Sequence, residues 1–300
     1  MKNSYRNYIL LGQEALLRKE GKKAQKAYER ALSFAKKKEE KLHCLYTLAD
    51  LYWAEDQKEE AKDLFRQILE EDPKEAGACY GLAILSREER PQKAIYWFEK
   101  AILRNPNYSQ AYYYQAHVWN DLCQKDKAEE LFLQAIAIDP LDPLALNDLG
   151  SLYEEEGKNK KAKAYFSRAI KVHPSFARGL YNMGVIEYKL GHPEDALAYY
   201  RRALEEAPFE GTIYLNMSAI YLETGRPEEA LRILDEGLDL LESHLNLFYN
   251  RACAKVRLGD LEGARRDLEA AGQIDADALF WARDDEDLKD LVLERNEEWL

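Results

Sequence analysis

Residues 146–174 read LNDLGSLYEEEGKNKKAKAYFSRAIKVHP, and this stretch decides the fold. It carries two runs of helical character, parted at Gly157 and closed by Pro174. Gly150 in the first run and Ala162 in the second are small enough for two helix backbones to approach closely, and Phe166 fills the groove beside them. Gly157 falls where the chain must reverse, a place that favours a residue tolerant of positive φ. A two-helix hairpin of this kind cannot bury its apolar face alone, so the pattern calls for neighbours stacked on both sides.

Those neighbours are present in the sequence. The set Ala162, Phe166, Ala169, Pro174 has counterparts in Ala61, Phe65, Ile68, Pro73, in Ala94, Phe98, Ala101, Pro106 and in Ala128, Phe132, Ala135, Pro140. A further copy is Ala196, Tyr200, Ala203, Pro208, and successive prolines lie 33, 34, 34 and 34 residues apart. The small residue of the first helix recurs as Ala49, Ala83, Ala116, Gly150, Gly184, Ser218 and Ala252, while Gly191, Gly225 and Gly259 repeat the turn of Gly157. A period of 34 built from paired helices signals a repeat architecture.

At these residues the chain resembles the tetratricopeptide repeat family, over about residues 5–278. The resemblance implies an all-α, right-handed α-solenoid of about eight helix-turn-helix repeats. These fall near residues 5–40, 42–75, 76–108, 109–142, 143–176, 177–210, 211–244 and 245–278, making residues 1–278 one array. The edges depart from the pattern. The first repeat predicts a short turn after Gly21 and a long second helix running into Lys36-Lys37-Lys38; the third turns one residue early through Glu88-Glu89-Arg90-Pro91. The seventh has Leu234, Gly237 and Glu242 where an aromatic, Ala and Pro are wanted. Beyond the array, residues 279–300 predict a C-terminal capping helix, with acids at 284–287 ahead of Leu288, Leu291 and Val292. Phe280 and Trp281 offer a second reading, as a docking arm.

Composition narrows the function. The 300 residues hold 43 Lys+Arg against 55 Asp+Glu, a net charge of −12, which argues against general nucleic-acid binding. No apolar run approaches the roughly 20 residues that cross a bilayer, and Gln13 and Glu14 interrupt the first apolar stretch, so neither a membrane partner nor a signal peptide is expected. Cys44, Cys79, Cys123 and Cys253 form no CxxC pair, which fits a reducing, cytoplasmic setting. No phosphate-binding glycine loop, HExxH or GxSxG occurs, and the five histidines are dispersed. The sequence therefore predicts no enzyme, no catalytic residue, no metal and no cofactor.

What remains is a binding surface. With roughly 100° per residue, Asn182 and Val185 lie about 150° from the packing seam of their helix and Tyr181 about 110°. The family resemblance implies that first helices line a concave groove where partner peptides or helices dock. Two series run along it: Asn182, Asn216 and Asn250, two before the small residue, and Tyr46, Tyr80, Tyr113, Tyr181 and Tyr249, three before it. Asn147 continues the second series, and Tyr188 joins the candidate set. A primary amide offers donors and an acceptor to a peptide backbone of any sequence, and Tyr adds stiff contact area. Asp148, Tyr114, Gly81 and Thr47 take the Asn phase earlier in the chain, so an extended-peptide site is expected within residues 147–257. The carboxylate clamp of chaperone-binding members is mostly missing, because Val185, Ala219 and Cys253 follow the ladder Asn residues at the clamp spacing.

The expected function is thus a non-enzymatic protein-interaction adaptor or scaffold, with a peptide or helix of a protein as its partner. An accessory subunit of a separate enzyme is a second reading. A third is a self-assembling spacer, a homo-oligomer joined through its ends, since residues 1–40 carry a net +6 and residues 260–300 a net −9.

Overall fold

The computed structural model describes residues 4–293 and contains no strand among them. The chain falls into two compact units that meet in sequence at Pro140 and Leu141. The first unit holds α1 (Ser4–Leu17), α2 (Gly21–Phe34), α3 (Lys38–Ala54), α4 (Lys58–Glu71), α5 (Ala76–Ile84), α6 (Pro91–Arg104), α7 (Ser109–Asp121) and α8 (Lys125–Ile138). The second holds α9 (Pro143–Glu155), α10 (Asn159–Val172), α11 (Ala177–Lys189), α12 (Pro193–Glu206), α13 (Gly211–Glu223), α14 (Pro227–Leu240), α15 (Leu245–Arg257), α16 (Leu261–Ile274) and two short segments, α17 (Asp277–Trp281) and α18 (Lys289–Leu293). Within each unit odd and even helices pair as hairpins, and each hairpin packs on the next.

Local chemistry sets these boundaries. The residue before a proline is driven out of the helical region, and Asp72, Asn105, Asp139 and His173 accordingly end their helices at ψ of 97°, 91°, 88° and 90°. Proline also opens α6, α9, α12 and α14, where its missing N–H costs nothing. The Asp142 carboxylate completes the start of α9 by accepting from the amides of Leu144 and Ala145 at 2.9 and 3.4 Å.

The interlock within each hairpin is steric. A Cβ placed on Gly150 would lie 2.6 Å from the Phe166 ring, and one on Gly184 would lie 2.6 Å from Tyr200. Both rings are all but buried, so the glycine is the groove that the aromatic fills. The seventh repeat satisfies the same requirement in reverse. Its second helix carries Gly237, and Tyr214 of the first helix lies against it, 1% exposed, its hydroxyl donating to the Pro208 carbonyl at 3.0 Å.

Three expectations need correction. The first hairpin turns before Gly21, through Lys19 at φ 58°, and α2 ends at Phe34 without reaching Lys36. The cause is Glu40, whose carboxylate accepts from the Lys36 and Lys37 amides at 2.9 and 3.3 Å and so starts the 17-residue α3 there. In the third repeat the first helix itself is short: α5 has 9 residues and gives way to turns at 85–90, none of positive φ, before Pro91. The segment 279–300 is not one helix as far as it is described. Asp285 accepts from the amides of Asp287 and Leu288 at 2.9 and 3.3 Å, an Asx-type turn that separates α17 from α18. Ala282, Leu288 and Leu291 nonetheless join the core cluster that includes Ala264 and Leu268 of α16, while Phe280 stays 62% exposed. Residues 294–300 of this segment lie outside the described residues.

Candidate functional site

The Asn series stands on the odd-numbered helices of the second unit, and each amide reaches back one repeat. Asn182 Nδ2 on α11 donates to Asn147 Oδ1 at 3.0 Å and lies 3.4 Å from Ser151 Oγ, both on α9. Asn216 Nδ2 on α13 donates to the Tyr181 hydroxyl at 3.2 Å and approaches that of Tyr200 at 3.4 Å. Asn250 Nδ2 on α15 donates to Ser218 Oγ at 3.1 Å. The donor half of each amide therefore fastens one repeat to the one before it. Among the described residues, no protein donor reaches Oδ1 of Asn182, Asn216 or Asn250.

Asn147 is different. It is 1% exposed, accepts from Asn182 and donates to Asp148 at 3.1 Å. Burial removes it from the candidate contact residues and makes it an anchor of the ladder.

The Tyr series is half-buried, and most of its rings lean on the aromatic of their own hairpin. Ring centroids of Tyr46 and Phe65, Tyr80 and Phe98, Tyr113 and Phe132, and Tyr181 and Tyr200 lie 6.1, 6.1, 5.9 and 5.7 Å apart. Their hydroxyls are used as well. Tyr46 donates to Glu75 at 3.0 Å and Tyr249 to Asp285 at 3.1 Å, and Tyr188 donates to Glu223. Burial, then the neighbouring carboxylate, pushes the Tyr46 and Tyr249 hydroxyls up. In the first unit the series thickens into a cluster, with Tyr80 5.0 Å from Tyr108 and 6.0 Å from Tyr114, and Tyr113 4.6 Å from His117. That packing was invisible to a reading in single phases, because Tyr108 and Tyr114 belong to other phases of the repeat.

Beside Tyr181 a cleft of about 430 Å³ opens, its lining including Ala177, Ala207 and Ile213 together with Arg178 and Glu210. Arg178 is held by Asp148 at 2.9 Å. This is room for a large side chain next to the amide series.

Other polar clusters serve the scaffold. Buried Glu187, 3% exposed, accepts from Lys163 Nζ at 2.7 Å and pairs with His192 Nδ1 at 2.9 Å. Burial raises its pKa, but hydrogen bonds from Lys163 and His192 outweigh that and hold the carboxyl below the usual glutamate range. Buried Asp267 receives Arg251 through Nε and Nη2 at 2.8 and 2.7 Å, and Lys255 at 2.7 Å. Among the described residues, two groups have the spacing of metal ligands, Glu187 with His192 and Asp195, and Cys253 with Asp285 and Asp287. In both, cations or N–H and O–H donors already occupy the carboxylates: Lys163 on Glu187, Tyr249 on Asp285 and Arg257 on Asp287. Burial pushes the Cys44 thiol up to about 11 and raises those of Cys79 and Cys253, which disfavours the nucleophilic thiolate at neutral pH. No helix among the described residues is long and apolar enough to cross a membrane.

Comparison with known proteins agrees on the architecture. Solved structures with the same fold include YrrB, described as a TPR protein with an unusual peptide-binding site, at 22% identity, covering 67% of this chain and 97% of that one, with a TM-score of 0.52. PilW, a type IV pilus biogenesis factor, matches at 21% identity over 72% of this chain and 98% of its own, TM-score 0.57. The APC/C hetero-tetramer Cut9–Hcn1 matches at 15% identity over 91% of this chain and 52% of that chain, TM-score 0.57. A search of curated proteins gives no significant sequence match. Two tetratricopeptide repeat profiles match, one at residues 46–110 and 147–211 and the other at 187–243, together more than half the sequence. With the hairpin interlock repeating in phase beneath those matches, the chain belongs to the tetratricopeptide repeat family.

Proposed function

We propose that the chain is a non-enzymatic protein-interaction adaptor that receives an extended peptide or helix of a partner protein along the odd-numbered helices of its second unit. One observation carries the reading: the amide oxygens of Asn182, Asn216 and Asn250 recur at 34-residue intervals with no protein donor among the described residues, while their N–H groups are engaged by the preceding repeat. Fixed in orientation by those bonds, the three oxygens are acceptors, and the complementary groups in an extended ligand are its backbone N–H donors. Such recognition is independent of ligand sequence. Selectivity then falls to the cleft beside Tyr181, which suits an apolar side chain. Shared fold with YrrB, whose description names a peptide-binding site, supports this at the level of architecture.

The test is selection of peptides from a random displayed library on the full chain, followed by titration against Asn216→Ala/Asn250→Ala. Affinity should fall about tenfold while the far-UV spectrum stays helical. Unchanged affinity removes the amide series from recognition.

A further inference from the structure

The first helix of the array is covered differently from those that follow. The residue one before the small position is buried at Leu48, Leu82 and Gln115 in the first unit, and at Met183 and Met217 in the second. Each belongs to a helix that packs on the second helix of the hairpin before it: α3 on α2, α5 on α4, α7 on α6, α11 on α10 and α13 on α12. Leu11 holds the same position on α1 and is 53% exposed, beside Leu10 at 63%.

The same face opens into a cleft of about 380 Å³ between α1 and α2, with Tyr8, Leu11, Ala15 and Ala27 as its apolar lining. The rest of the lining is mostly cationic. Glu14 answers Arg18 at 2.7 Å and Glu20 answers Lys23 at 2.9 Å, but among the described residues no carboxylate pairs with Lys26 or Arg30.

We propose that this face docks one amphipathic helix with an acidic polar side, supplied by another chain, in the place a preceding second helix takes elsewhere in the fold. The fold identifies the kind of element, since five equivalent faces are covered by helices. The unanswered charges select its polarity, because an acidic flank brings counterions to Lys26 and Arg30 as the apolar side covers Leu11. This surface is separate from the amide series of the second unit, so either assignment can fail without the other.

The probe is the chain's own acidic second helix, residues 227–240, made as a helix-stapled peptide; its net charge is −4, and its parent α14 packs on α15, where the equivalent position is the cationic Arg251, paired with Asp235 of α14 at 2.7 Å. Titrated into the full chain, it should bind saturably and more weakly as salt is added. Leu11→Glu, and separately Lys26→Glu/Arg30→Glu, should each reduce affinity about tenfold with melting temperature unchanged, since all three residues are exposed. A stapled version with its acids changed to lysine should not bind. Equal binding by the variants, or by the basic peptide, overturns the proposal. So does sedimentation of the protein alone showing self-association that Leu11→Glu abolishes, because the occupant would then be a second copy.

Discussion

The two units solve the same problem of chain reversal with different residues. In the second, all four hairpin turns place glycine in the left-handed region, Gly157, Gly191, Gly225 and Gly259, at φ between 71° and 83°. In the first, Lys19, Asp56 and Cys123 adopt that conformation at 58–59°, and the third turn avoids it altogether. A side chain in this region costs roughly 1–2 kcal/mol, so the first unit holds its turns against a standing local penalty. The units differ equally in how repeats are joined. The second uses amide ties across odd-numbered helices, whereas in the first the Asn phase is held by Thr47, Gly81 and Tyr114, and Tyr114 enters an aromatic cluster. Local strain and polar ties are thus distributed unequally along one repeated plan.

The comparison breaks most severely at the interlock. Gly150→Leu drives a branched side chain into the Phe166 ring and should cost about 3 kcal/mol or more in chemical denaturation, while Ala49→Gly, at the same phase of the first unit, should cost about 1 kcal/mol. Next in size are the ties. Asn182→Ala leaves Asn147 buried with an acceptor unmet and should cost about 1–2 kcal/mol. Thr47→Ala removes only a bond to the carbonyl of His43 on its own helix, and should change stability by less than about 0.5 kcal/mol.

Turn substitutions then sharpen the contrast directly. Lys19→Gly and Cys123→Gly should each stabilise by about 1 kcal/mol, and Gly157→Ala, which meets no atom within 4 Å, should destabilise by a similar amount through φ alone. The smallest effect is one of pH. The second unit buries the carboxylates of Glu187 and Asp267, the first the ammonium of Lys62. Because the Glu187 pKa is held below its ordinary value, its contribution is present above the unfolded pKa near about 4.3 and is lost as pH falls through the folded value. Glu187→Gln should therefore flatten the acid limb of a stability–pH curve. Because Glu187 also raises the Lys163 pKa, the substitution should flatten the strongly alkaline limb as well, where the wild type loses that pair as Lys163 deprotonates.

The period, the hairpin interlock and the turn glycines were legible because each constraint lies within one repeat: Gly150 and Phe166 are 16 positions apart and meet through a single turn. The destinations of the amides were not. Asn216 bonds to Tyr181 across a separation of 35, a contact that appears only once hairpins are stacked, so spacing alone showed a repeated polar residue and not which half of it was occupied. The first turn was misplaced because Gly21 resembles a turn glycine while Lys19 takes the left-handed position, and the end of α2 was misplaced because the group that starts α3, the Glu40 carboxylate, lies beyond the lysine run it caps. Exchange of the aromatic between helices in the seventh repeat was hidden for a related reason. Tyr214 fills the groove at Gly237 from the first helix, where the pattern has no aromatic.

The central claim is that the second unit presents acceptors to a ligand backbone. A double-mutant cycle tests it most directly: one library-selected peptide, with single backbone N–H groups replaced by N-methyl, is titrated against the wild-type chain and Asn216→Ala. The account predicts that N-methylation at one ligand position weakens wild-type binding about tenfold and has little further effect on Asn216→Ala, a coupling of about 1 kcal/mol or more. Additive losses at every ligand position, or a selected peptide indifferent to N-methylation, would contradict it.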